Sequence, residues 1–175
     1  MIRTLQLALA TWRPRPAIPG QGLLDPSVTR LRVHLGDLDL YRHVNNGVYL
    51  QMMDVGRSNL LADLGAYGLL ADRGWFPVVA ASTIKYRRSL TFGQRFDLTS
   101  RVLGWDARVV YLEQTFTLRG EHVARGVVAG RFLGRDGERV AATDVVTLLA
   151  GGEATSPELP EDVATWARAV DVAAR

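Results

Sequence analysis

The sequence predicts an α+β domain in which an antiparallel sheet wraps around one long, buried α-helix. Three observations carry this. Residues 47–64 place apolar side chains around most of a helical circumference, the mark of a helix enclosed by its domain. From Trp75 onward the chain reads as β-branched or alternating segments separated by turn residues. Ahead of the helix, Ser27–Leu35 alternates Val28, Arg30, Arg32 and His34 against Leu31, Val33 and Leu35, as a half-buried strand does. A sheet with one apolar face needs a covering layer, and the only long helix on offer is the apolar one.

Taken in order, residues 1–12 (MIRTLQLALATW) form a short apolar run. A bilayer span needs about 20 residues, so this run is expected to pack on the body, extend a partner contact or rest on a membrane surface. Residues 13–26, with four prolines and two glycines, read as an irregular linker. The strand 27–35 follows, with His34 on its polar face. Asn45 or Asn46 then caps the long helix. Gly56 in mid-helix costs about 1 kcal/mol against alanine, which points to a close approach by a neighbouring sheet. A second helical piece covers Ala66–Arg73. Strands are expected at Phe76–Arg87, Arg95–Leu103, Arg108–Leu118, His122–Leu133 and Arg139–Leu149, with turns at Arg119-Gly120-Glu121 and Asp136-Gly137. Pro157–Pro160 opens a final helix reaching about Ala174. The domain is thus expected at 27–150, between an N-terminal segment at 1–26 and a C-terminal tail at 151–175.

Composition narrows the chemistry. The chain has 175 residues, 47% of them apolar and 22% charged, enough for one ordinary globular core. Its pI near 9.7 comes from scattered arginines (Lys85 is the only lysine among 21 basic residues), which do not make a nucleic-acid surface. The absence of cysteine removes disulfides, thiol nucleophiles and Cys-ligated metals. His34, His43 and His122 lack metal-binding spacing. Gly56-Arg57-Ser58-Asn59-Leu60 lacks the closing glycine of a serine-hydrolase elbow.

What remains is the stretch from Asp37 to Gly47, which holds two carboxylates, a histidine and two asparagines just before a helix N-terminus. There, unpaired backbone N–H groups and the helix dipole favour developing negative charge. A carboxylate beside such donors suits thioester hydrolysis, which needs a base or nucleophile and an oxyanion site. The amides near Asn46 and Gly47 are the expected oxyanion donors.

Asp37-Leu38-Asp39, His43-Val44-Asn45-Asn46 and Tyr49 resemble the D-x-D…H-[VM]-N-N…Y signature of hotdog acyl thioesterases. They are similar to both the 4-hydroxybenzoyl-CoA type and the plant acyl-ACP type. Lys85-Tyr86-Arg87-Arg88-Ser89-Leu90, Leu103-Gly104-Trp105-Asp106 and Tyr111-Leu112-Glu113 resemble the branch called thioesterase superfamily member six. The likeness covers about residues 25–150. It implies a hotdog fold, a cytoplasmic homodimer or dimer of dimers with sites between subunits, an acyl-CoA or acyl-ACP substrate, and no cofactor.

By the same resemblance Asp39 takes the place of the catalytic acid, as base or nucleophile; an aspartate merely capping its loop is the alternative. His43 orients water or polarises the carbonyl, or only bonds to backbone. Asn45 and Asn46 tie the loop or meet substrate, Tyr41, Gly47 and the signature's Tyr49 are expected to meet substrate, and Asp37 braces the loop. Tyr41 departs from the plant enzymes, which carry asparagine there. Asp54 is the rival acid: in the phenylacetyl-CoA clade the acid lies on the buried helix seven residues after a glycine, as Asp54 follows Gly47. It also lies within ion-pairing reach of Arg57. Arg87 and Arg88 suit a CoA phosphate. Met52, Met53 and Phe76 line an acyl tunnel or belong to the core. A non-catalytic acyl-CoA-binding dimer and a hotdog hydratase or dehydratase are the competing functions, the last lacking its His-Phe-Pro motif.

Overall fold

The computed structural model describes residues 2–174; Met1 and Arg175, the outer ends of the two expected terminal segments, lie outside the described residues. Six strands form one antiparallel sheet: β1 (Ser27–Arg32), β2 (Phe76–Tyr86), β3 (Arg95–Trp105), β4 (Val110–Leu118), β5 (Glu121–Leu133) and β6 (Arg139–Val140). Their order is β1-β3-β4-β5-β2, with β6 paired to the end of β5. Arg119 and Gly120, both at positive φ, make the tight β4–β5 turn, and Gly137 at φ 79° serves the β5–β6 turn.

The long helix α2 (Asn46–Asp63) lies against one face of this sheet. Its N-terminal half packs Tyr49, Met52 and Met53 on Leu98 and Phe116; its C-terminal half packs Leu60 with Val102 and Phe132. Helix and sheet approach closely at Gly56. A Cβ there would lie 2.8 Å from Leu98 Cδ2 and from Gln114 Nε2.

Alternate strand residues point to the opposite face, and that face is covered too. Leu103, Tyr111 and Val127 pack there against Val163 and Ala167 of α5 (Glu161–Ala169), so the expected one-sided sheet is two-sided. The final helix is also shorter than expected. A larger correction concerns Arg139–Leu149, expected as a strand. Only Arg139–Val140 pair with β5, and α4 (Ala142–Ala150) follows, because Ala142, Val145 and Val146 share a helical face buried in the second core. Gly151, at φ 72°, ends it in the left-handed conformation.

The N-terminal segment does not stand apart. Ile2–Trp12 is a helix, α1, fastened along α2: Arg3 reaches Asp37, Thr11 Oγ1 lies 3.2 Å from Ser58 Oγ, and the linker's Arg15 binds the buried Asp63. A short helix α3 (Ala66–Arg73) follows α2. Among the described residues no helix is long and apolar enough to cross a membrane.

Candidate active site

The loop ahead of α2 closes as a small hairpin. Leu38 pairs with Val44, and one step further out the Asp39 N–H donates to His43 O at 2.8 Å. The turn is closed by Arg42 at φ 63°, a left-handed conformation uncommon outside glycine. Asp39 Oδ1 accepts the Tyr41 amide at 2.9 Å and the His43 amide at 3.2 Å, which fixes the carboxylate and leaves Oδ2 for another partner.

Three ties hold this hairpin against the body. Val44 N–H donates to Leu90 O at 2.9 Å, His43 pairs with Thr91, and Asn45 N–H donates to Asp37 O at 2.8 Å. Asp37 is itself buried; its carboxylate accepts Arg3 Nε at 3.0 Å, Arg3 Nη2 at 2.5 Å and the His34 amide at 2.7 Å. It is thus the loop's brace.

Asn45 is the N-cap, and its Oδ1 accepts the Gly47 amide at 2.9 Å. That bond occupies one of the two amides expected to serve an oxyanion and leaves the Asn46 amide as the donor of that pair. Tyr86, at the end of β2, donates its hydroxyl to Asn46 O at 3.2 Å, bringing the Arg87–Arg88 strand end beside the helix start. Both arginine amides donate to Val123 O, and their exposed side chains border a polar hollow with Glu121 and His122. Arg88 is ion-paired with Glu121.

The expected site residues therefore divide. Asp39, His43, Asn45, Asn46 and Gly47 come together at the helix start, with Arg87 and Arg88 beyond Tyr86. Tyr41 is 82% exposed and meets the site only through its backbone. Tyr49, expected to meet substrate, is instead core: it is 2% exposed, with ring centroids 5.1 Å from both Tyr86 and Phe116, and burial pushes its hydroxyl pKa up. Met52 and Met53 are core as well.

Asp54 lies elsewhere. It is ion-paired with Arg57 on the wall of a chamber of about 740 Å³, set between the C-terminal half of α2, the start of β2 and α4. Burial raises its carboxyl pKa above the ordinary value, with Arg57 opposing. Arg57 also donates to Gln114 Oε1 at 2.7 Å. Phe76 lines this chamber. Sequence reasoning missed Arg3, Tyr86 and the chamber; the one signal for Arg3 was a single cation inside an apolar run.

The profile of the thioesterase-like superfamily matches residues 33–167, which takes in the hairpin, α2 and strands β2 to β6. The chain belongs to that superfamily. THEM6 of Danio rerio is 30% identical over 157 residues, covering 90% of this chain and 76% of that protein. A probable thioesterase from Escherichia coli, YbaW, superposes with a TM-score of 0.65 at 23% identity, covering 70% of this chain and 94% of that one. The DHNA-CoA thioesterase of Staphylococcus aureus superposes at 0.62 with 16% identity, covering 68% and 82%. Likenesses this distant speak for the fold, and the fold they share is the hotdog, a curled antiparallel sheet around a central helix.

Proposed function

We propose that this chain is an acyl-CoA thioesterase acting as a homodimer, with Asp39 as general base or nucleophile. The carrying observation is the Asp39 carboxylate, held by two backbone amides through one oxygen with the other unengaged, on a hairpin pinned to the start of α2. As a base, Asp39 takes a proton from water while the water oxygen attacks the thioester carbonyl. The resulting oxyanion is met by the Asn46 amide and the positive end of the helix. Collapse expels the CoA thiolate, which takes up the proton, giving a free acid and CoA. As a nucleophile, Asp39 would attack the thioester carbonyl, expelling the CoA thiolate as the C–S bond breaks. Water would then hydrolyse the mixed anhydride to the free acid and the Asp39 carboxylate, its released proton going to the thiolate. Arg87 and Arg88 suit the phosphates of CoA. The superfamily and the CoA thioester named for the Staphylococcus aureus neighbour support this substrate class.

The homodimer is supported by an unpaired edge. Strand β2 runs 11 residues at the border of the sheet, mostly exposed along its length, with Val79 47% accessible. An edge this long offers a row of free N–H and C=O groups to a second strand. Leu40 and Tyr41, at 99% and 82% exposure on the hairpin tip, suit burial against a partner.

Asp54 is the second reading, favoured by its raised pKa and its place on the chamber wall. A thiol-release assay over an acyl-CoA panel separates the two. Asp39→Asn is expected to lower kcat by about 10²–10⁴-fold, and Asp54→Asn by far less. The reverse order makes Asp54 the acid. Binding without turnover on any acyl-CoA or acyl-carrier-protein thioester leaves a carrier rather than an enzyme.

A further inference from the structure

The proposed reaction leaves the chamber beside Asp54 without a role, and its wall has an uncommon property. Most of the polar side chains on it come from α1, α2 and α3, and these bond to one another. Arg57 holds Asp54 and Gln114; Ser58 Oγ meets Thr11 and the Tyr67 hydroxyl, which also donates to Ser58 O at 3.2 Å. Among the described residues no buried side-chain nitrogen or oxygen lacks a partner. A pocket that selects a hydroxylated ring keeps donors or acceptors waiting for it. Beyond this polar cluster and Trp75 the chamber lining is apolar, with Leu60, Leu64, Val102 and Phe132 on it.

Its dimensions fit a straight chain. The α2 residues on its wall run from Asp54 to Leu64, about 15 Å at 1.5 Å per residue. With C–C bonds of about 1.5 Å in a zigzag, roughly a dozen methylenes span that length. Asp54 lies eight residues beyond Asn46, so the chamber wall on α2 begins about 12 Å from the helix start. A short acyl group attacked there ends before reaching it.

The opposite wall contains a gap of its own. Val128, Gly130 and Phe132 alternate along β5 and face the chamber with Leu112. A Cβ on Gly130 would sit 3.4 Å from Leu112 Cδ1, in ordinary contact, so nothing in the backbone requires glycine there. Its missing side chain is open chamber volume.

Resting on the thioesterase reading, we infer that the chamber takes the distal part of a long aliphatic acyl chain, and that Gly130 sets the length admitted. Substrates are then long-chain acyl thioesters rather than hydroxyaryl ones.

The test uses non-hydrolysable S-alkyl-CoA thioethers of C4 to C16, with S-(4-hydroxybenzyl)-CoA, titrated onto wild type, Gly130→Ala and Gly130→Leu. Affinity for wild type is expected to rise about three- to fourfold per added methylene over the lengths that enter the chamber. The hydroxybenzyl probe is expected to bind more weakly than the dodecyl one. Gly130→Leu should lower the C14:C4 affinity ratio at least tenfold, and Gly130→Ala should lower it less. Because the alanine Cβ has room, that graded shift remains readable if the leucine variant does not fold. A length-independent Kd, a tighter hydroxybenzyl probe, or an unchanged C14:C4 ratio in the folded variants overturns the inference. The thioethers report binding alone, so length-dependent affinity without hydrolysis of any acyl-CoA keeps the chamber and discards the thioesterase. Hydrolysis with flat affinities does the opposite.

Discussion

Arg3 and Asp37 form a bidentate ion pair that is almost wholly enclosed, with side-chain exposures of 2% and 1%. The pair joins the first turn of α1 to the brace of the hairpin ahead of α2, and Arg3 also donates to Arg32 O at 2.7 Å. Removing one partner of such a pair leaves an uncompensated buried charge, a loss of about 3–5 kcal/mol. Arg3→Ala should therefore unfold at clearly lower urea concentration. At temperatures where it is folded, kcat should fall more than KM rises, because the loop is misplaced rather than the acyl site. A variant with unchanged stability would mean that α1 is dispensable to the hairpin.

Glycines in two helices make opposite predictions. In α2, Gly56→Ala would gain about 1 kcal/mol of helix propensity, yet its methyl would collide with Leu98, Gln114 and Ser100, all within 2.9 Å. Overpacking costs about 1–3 kcal/mol, so a net loss is expected. In α3, Gly68 has nothing within 4 Å of its Cβ position, and Gly68→Ala should stabilise by about 0.5–1 kcal/mol. Thermal melts of the two variants should move in opposite directions. If both rise, the close helix–sheet contact at Gly56 is wrong.

That contact was legible in the sequence, since a helix-interior glycine amid apolar neighbours has few other uses. So were α2, the polar loop ahead of it and β2 to β5, because each is written locally as a period, a motif or a turn. Residues 139–149 were not: Val145 and Val146 have the β-branched look of a strand, and only burial against the second core makes them a helical face. The Gly151-Gly152 stop after Ala150 was the overlooked signal. Arg3 pairs with Asp37 across 34 residues, and no local pattern encodes a contact of that range. The chamber has the same origin, in elements distant along the chain.

The exposed β2 edge makes a prediction about assembly. In solution the protein should have a mass near twice its 19.3 kDa. Charges along an edge strand oppose strand pairing. Val79→Lys combined with Ser82→Lys should shift sedimentation toward the monomer and lower activity with it, since the hairpin tip loses its cover. A wild-type monomer with full activity would remove the dimer from the mechanism.

The C-terminal tail carries a pH dependence. Asp106 Oδ1 accepts the Arg108 and Val109 amides at 2.7 and 3.0 Å, and Oδ2 accepts the Tyr111 hydroxyl at 2.7 Å and the Ala174 amide at 3.0 Å. Burial pushes the Asp106 carboxyl pKa up, but these four bonds outweigh it and hold the group below its ordinary 3.8. A carboxyl depressed in the folded state adds stability above its unfolded pKa, and that stability is lost as pH falls through the folded one. At neutral pH, Asp106→Asn should therefore be less stable than wild type in urea. Below about pH 4 the two curves should converge, while hydrogen exchange in α5 speeds up in wild type. A stability gap that stays constant down to about pH 2 would show that the shape of the side chain, and not its charge, secures the tail over the sheet.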